Sequence, residues 1–202
     1  MCIRDRDTTT QRTKMSGGSG VLPDELLKPA QVYVAGIIFL IIGASIGIYF
    51  VATNGVTIGI ILAFAVISIY FYSTKLVNWG LAEVFVTIKG TMIVIGTYFV
   101  QTQQITEPVV LCGIIIGVLS SLVLFITSFP DYDADKAKGR KTLVISLGKQ
   151  NSCSILWVFP AIAYGITITA VISEIFPISC LIILATIPVS YTHLTLPTIC
   201  SV

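Results

Sequence analysis

Apolar residues in this chain come in runs of about twenty, the length that crosses the hydrocarbon core of a bilayer. That feature excludes a soluble globule, whose helices carry one apolar stripe and one polar face. The runs are Tyr33–Ala52, Val56–Tyr72, Ala82–Val100, Val109–Phe129 and Cys153–Ile172, with a sixth beginning near Ile178. No strand-like alternation competes with helix in these stretches. The predicted fold is all-α, a polytopic transmembrane helical bundle with about five complete spans and part of a sixth. Only 11% of the 202 residues are charged, against about 25% in soluble domains. Neither a disordered chain nor a basic nucleic-acid binder has that composition. The five cysteines include no CxxC and sit largely in apolar runs, which argues against a disulfide or zinc scaffold.

The two ends read differently from the middle. Met1–Arg6 and Val189–Thr198 can each be written in codons that resemble the transposon-end adaptor of sequencing libraries, once forward and once in reverse. On this reading 1–6 and 189–202 are adaptor-derived, and Asp7–Pro188 is a partial transmembrane domain. The single histidine, His193, then falls in the adaptor, so histidine catalysis and histidine–metal sites drop out.

Loop charges set an expected orientation. Arg12, Lys14 and Lys28 precede the first span, and Lys75 lies between the second and third. Lys136, Lys138, Arg140, Lys141 and Lys149 lie between the fourth and fifth. The alternate links carry no basic residue. Every basic loop falls on one side, which the positive-inside rule assigns to the cytoplasm. The chain is therefore expected in the cell's inner or plasma membrane, with its acidic loops cytoplasmic.

Those loops hold the chemistry. The strongest signal is the stretch from Phe129-Pro130-Asp131 to Asp135-Lys136 and on to Gly139-Arg140-Lys141-Thr142-Leu143. Asp131 and Asp135 are four apart and share a face if helical, while Asp133 points elsewhere. Two carboxylates so spaced can hold Mg²⁺, which takes oxygen ligands and keeps substrate phosphates in its shell. The cations that follow suit phosphate oxygens or lipid headgroups. A bare DxxxD also fits a solvated, charge-balanced loop; its place at a membrane exit, before G-R-K-T-L and a second helix, is more specific. Asp7, Arg12-Thr13 and the Gly-rich stretch Ser16–Leu22 form a second signal, since glycines allow close backbone approach to a phosphate; a flexible loop reads the same way. Tyr70, Tyr72 and Lys75 could be interface anchors. Lys89 lies about 10 Å inside its helix at 1.5 Å per residue, placed either to snorkel or to face an internal anion.

Together these residues resemble the UbiA superfamily of intramembrane aromatic prenyltransferases. Asp131-Tyr132-Asp133-Ala134-Asp135-Lys136 with Gly139–Leu143 and Leu147-Gly148 looks like its second aspartate-rich motif. Arg12-Thr13 and Ser16–Leu22 look like the stretch after its first motif, of which Asp7 would be the last acidic residue. Tyr72, Lys75 and Gly80-Leu81-Ala82-Glu83 look like its third conserved loop. Gly96–Thr102 resembles the branch with 1,4-dihydroxy-2-naphthoate polyprenyltransferases, from which Thr127-Ser128, Tyr72-Ser73-Thr74-Lys75 and Lys89 depart. The resemblance implies Mg²⁺-dependent transfer of a polyprenyl group from polyprenyl diphosphate to an aromatic acceptor, in menaquinone-type quinone biosynthesis. It implies metal ligation by Asp131, Asp135 and Asp7. Diphosphate binding would fall to Arg12, Lys14, Lys136, Arg140 and Lys141, and catalytic roles to Asp131, Asp135, Tyr72 and Lys75. A hydroxybenzoate or a glycerol phosphate lipid is the alternative acceptor. A CDP-alcohol phosphotransferase also carries DxxxD but needs an upstream D-G-x-x-A-R, which this chain lacks. A transporter would place ionisable groups at mid-membrane.

Overall fold

The computed structural model describes residues 24–72, 80–137, 139 and 141–195. The elements are α1 (Pro29–Asn54), α2 (Val56–Tyr72), α3 (Ala82–Thr102), α4 (Glu107–Thr127), α5 (Tyr132–Ala137), α6 (Leu143–Leu147), α7 (Lys149–Ile155) and α8 (Val158–Ile172). A 3₁₀ stretch, Ile178–Thr186, and α9 (Ile187–Thr195) follow. No strand occurs among the described residues.

Four helical segments are long and apolar enough to cross a membrane: α1, α3, α4 and the combined Lys149–Ile172. At 17 residues, α2 lies at the short end of the spanning range. The chain is an integral membrane protein with an all-α fold. Large apolar side chains cover its surface, among them Ile38, Phe39, Ile60, Ile93 and Val123, as expected where the solvent is lipid.

Helix boundaries follow local chemistry. Pro29 and Pro108 sit in the first turns of α1 and α4, where a missing N–H costs nothing. Gly55, at φ 83°, makes the turn between α1 and α2. The fifth span begins earlier than the apolar run suggests, at Lys149, and breaks at Leu156–Trp157. Pro160 explains the break: it cannot donate to the Leu156 carbonyl, and its ring crowds that oxygen. The helix restarts with Ala161 N–H bonded to Trp157 O.

Each span packs mainly on its sequence neighbour, and α4 also packs on α8. The most extensive contact joins α3 to α4 through small residues. A Cβ added to Gly90 would lie 2.7 Å from Gly117 Cα, and one added to Gly113 would lie 3.1 Å from the Thr91 carbonyl oxygen. Thr91 Oγ1 donates to the Gly113 carbonyl at 3.2 Å, and Ser121 Oγ to the Glu83 carbonyl at 2.7 Å. Close backbone approach and interhelical hydrogen bonds replace the hydrophobic drive that lipid removes.

The expected sixth span takes a different form. It is a 3₁₀ stretch of 9 residues and then α9, which continues past Pro188. Tyr164 Oη lies 3.0 Å from Ser190 Oγ, and the Trp157 and Tyr191 rings are 5.6 Å apart. Val189 and Tyr191 themselves are exposed.

Candidate functional site

The stretch between α4 and α8, which carries Lys136, Lys141 and Lys149, lies at one end of the bundle. There Phe125, Phe129, Val144 and Leu156 form a buried cluster. The Phe125 ring centroid lies 5.6 Å from that of Phe129 and 5.4 Å from that of Phe159. This cluster seats the segment that follows α4, which folds into α5, α6 and α7 rather than an open loop. Thr142 caps α6 by accepting from Ile145 N–H at 3.3 Å.

Asp131 and Asp135 are 6% and 4% exposed. Asp135 N–H donates to Asp131 O at 2.8 Å, a helical turn that puts both carboxylates on the inward face. Asp133 faces out and meets Lys149 Nζ at 3.4 Å. The Tyr132 ring carries Lys149 Nζ at 5.1 Å and Lys136 Nζ at 5.5 Å from its centroid. That pair of cation–π contacts was not foreseen, because Lys149 is far from Tyr132 in sequence. Lys136 and Lys141 are exposed at this end.

Gly80, the last residue before α3 but one, has φ 70°. A Cβ there would lie 3.4 Å from the Lys141 carbonyl oxygen. Gly80 and the segment that follows the aspartates therefore come together. At the opposite end Gln103 Nε2 donates to Asn54 Oδ1, so the turns without basic residues meet as well.

Asp7, Arg12, Lys14, Lys75 and Arg140 lie outside the described residues, as do the side chains of Tyr70 and Tyr72. Lys89 is exposed on the outer side of α3. Glu83, passed over in the sequence as part of a loop motif, is 6% exposed. Its signal was an acidic residue just inside an apolar run.

Two buried carboxylates with hard oxygen donors fit Mg²⁺ as part of an octahedral shell that phosphate oxygens and water complete. Among the described residues no group of three His, Cys, Asp or Glu side chains gathers to hold a metal. An apolar cavity of about 450 Å³ lies between α4, α8 and the stretch from Ile183 to Ser190, past Leu122, Ile126, Pro160 and Tyr164.

The UbiA prenyltransferase family matches residues 4–197. This chain belongs to that family. It is 32% identical over 88 residues to a 1,4-dihydroxy-2-naphthoate octaprenyltransferase of Bacillus subtilis (strain 168), covering 42% of this chain and 28% of that one. It is 26% identical over 110 residues to a 2-carboxy-1,4-naphthoquinone phytyltransferase of Synechocystis sp., covering 54% and 36%. It is 37% identical over 70 residues to a 1,4-dihydroxy-2-naphthoate octaprenyltransferase of Haemophilus influenzae, covering 34% and 23%. The matches thus span about a quarter to a third of those relatives' length. No solved structure matches the chain.

Proposed function

We propose that the whole protein is a prenyltransferase that moves a polyprenyl group from its diphosphate to an aromatic acceptor of the naphthoate type, in menaquinone-type quinone biosynthesis. The observation that carries this reading is the burial of Asp131 and Asp135 together at the basic end of an apolar bundle. The activities for which the relatives are named point the same way.

Asp131 and Asp135 would hold Mg²⁺, with Asp7 completing the carboxylate set. When bound, the ion neutralises charge on the departing diphosphate. The chain's own cations do related work: Lys136, Lys141 and Arg140, with Arg12 and Lys14, hold diphosphate oxygens through charge-assisted hydrogen bonds. Tyr72 and Lys75 belong to the same surface in this reading, Tyr72 offering an aromatic face to developing allylic positive charge. The α4 and α8 walls of the cavity, Leu122, Ile126 and Pro160, offer a prenyl tail an apolar surface. The aspartate-bearing loops face the cytoplasm, where a diphosphate donor is made. Asp7–Pro188 is the domain segment in this reading, and both flanks are adaptor-derived.

The test is prenyl transfer by the protein with its natural flanks, reconstituted in lipid. A panel of dihydroxynaphthoate, hydroxybenzoate and glycerol phosphate acceptors is offered with one polyprenyl diphosphate. Transfer to dihydroxynaphthoate above the others is expected. Transfer to none of them overturns the reading.

A further inference from the structure

Glu83 carries a carboxylate that neither the fold nor the aspartate pair uses. It lies in the first turn of α3, is 6% exposed, and its Oε2 is buried without a hydrogen-bond partner. A carboxyl in that state is costly, and helix packing gives no return for it. Its backbone does the packing: the Glu83 carbonyl accepts from Ser121 Oγ at 2.7 Å and from Thr87 Oγ1 at 3.0 Å. Those bonds fix the residue in place and leave the side chain spare.

Where the side chain goes follows from helix geometry. Helical side chains lean toward the N-terminus, here toward Gly80, whose backbone touches the Lys141 segment. That lean points the carboxyl toward the end of the bundle where the Lys141 segment lies. It does not join Asp131 and Asp135 as a third ligand, because no such cluster forms among the described residues. One carboxyl oxygen, Oε2, buried with no partner and with no metal cluster beside it among the described residues, calls for a donor from outside. At a site where an electron-rich ring must lie beside a diphosphate, the fitting donor is a ring hydroxyl.

We propose that the Glu83 carboxylate accepts a hydrogen bond from a hydroxyl of the aromatic acceptor, orienting the ring toward the prenyl donor. The bond is charge-assisted, and it draws the hydroxyl proton outward, so the ring gains electron density where it must attack. The proposal rests on the prenyl-transfer reading above. It adds that hydroxylated rings are chosen by one residue of α3.

The test is binding to this chain in lipid nanodiscs, followed by ligand fluorescence. The probes are 1,4-dihydroxy-2-naphthoate, kept reduced, and 2-naphthoate, which has no hydroxyl. Glu83→Gln and Glu83→Leu are compared with wild type, and thermal stability is measured in parallel. The expected result is that both variants weaken dihydroxynaphthoate binding, by about 10-fold or more for Glu83→Leu. Binding of 2-naphthoate should stay unchanged, and thermal stability should hold or rise, since an apolar side chain relieves a buried charge. Wild-type binding that both variants retain overturns the role of Glu83 and leaves the transfer reading standing. An equal loss for both probes, or a fall in stability that tracks the loss, overturns it as well. If wild type binds neither ring, the role of Glu83 falls, whereas the transfer reading is judged separately by the acceptor panel.

Discussion

The hydroxyl of Ser121 on α4 donates a 2.7 Å hydrogen bond to the backbone carbonyl of Glu83 on α3, with both residues buried. One turn deeper on α4, a Cβ on Gly117 would collide with the Thr87 carbonyl. Glu83, Thr87 and Thr91 thus face Ser121, Gly117 and Gly113 in steps of four, and the two backbones approach within the space of missing side chains.

Ser121→Ala removes the bond without adding volume. The loss of unfolding free energy in detergent is expected near 0.6 kcal/mol, roughly the mean for interhelical hydrogen bonds in membranes. A chemical or thermal unfolding series checks it. A loss of several kcal/mol would show that the hydroxyl does more than join two helices.

Gly117→Leu forces α3 and α4 apart, and the cost expected for such overpacking is about 1–3 kcal/mol or more. Gly43→Ala in α1 is the contrast, since nothing lies within 4 Å of an added Cβ there. That change should be neutral or stabilising by a few tenths of a kcal/mol up to about 1 kcal/mol from helix propensity. The two variants compared by thermal melting in one detergent separate packing from propensity.

The sequence made the spans legible to within a few residues, because hydropathy and the proline and glycine punctuation are local signals. Val56–Tyr72 is reproduced as α2, and Ala82–Val100 extends by two residues to Thr102. The break before α8 was not anticipated, although Pro160 was there to cause it. Which face of each span turns inward was also hidden, since apolar residues surround these helices on all sides. Spacing held a clue that hydropathy masks: Gly113, Gly117 and Ser121 recur every four residues on α4. For the candidate site, the four-residue spacing of Asp131 and Asp135 correctly implied one shared face. The partners of Tyr132 depend on how α5 and α7 fold together, and no local pattern encodes that.

Topology gives a further prediction. In a cysteine-free background, Lys28→Cys and Lys141→Cys should label from the same side of the membrane, and Asn54→Cys and Gln104→Cys from the other. The contacts of Gly80 with Lys141 and of Gln103 with Asn54 already pair these ends. Membrane-impermeant maleimide applied to inside-out and right-side-out vesicles makes the measurement. Labelling of Lys28→Cys and Asn54→Cys from one side would contradict an odd number of crossings between them.

The aspartates allow a sharper test, because the structure separates two of them from the third. Asp131 and Asp135 are buried on one face, whereas Asp133 is exposed and bridged to Lys149 at 3.4 Å. An exposed pair of that kind contributes about 0–1 kcal/mol, so Asp133→Ala should leave turnover within about a factor of two to five of wild type. Asp131→Ala or Asp135→Ala each removes a buried carboxylate that the proposed function assigns to the Mg²⁺ of the diphosphate. Losing one preorganised charge-stabilising group typically lowers turnover by about 10²–10³. Prenyl transfer by the protein with its natural flanks is measured at varied Mg²⁺. Chelation should abolish it, and added Mg²⁺ should restore wild type and Asp133→Ala but rescue the other two poorly. Near-normal turnover in Asp131→Ala and Asp135→Ala, with loss in Asp133→Ala, would move the chemistry to the outer face. It would also leave the burial of the first two without a function.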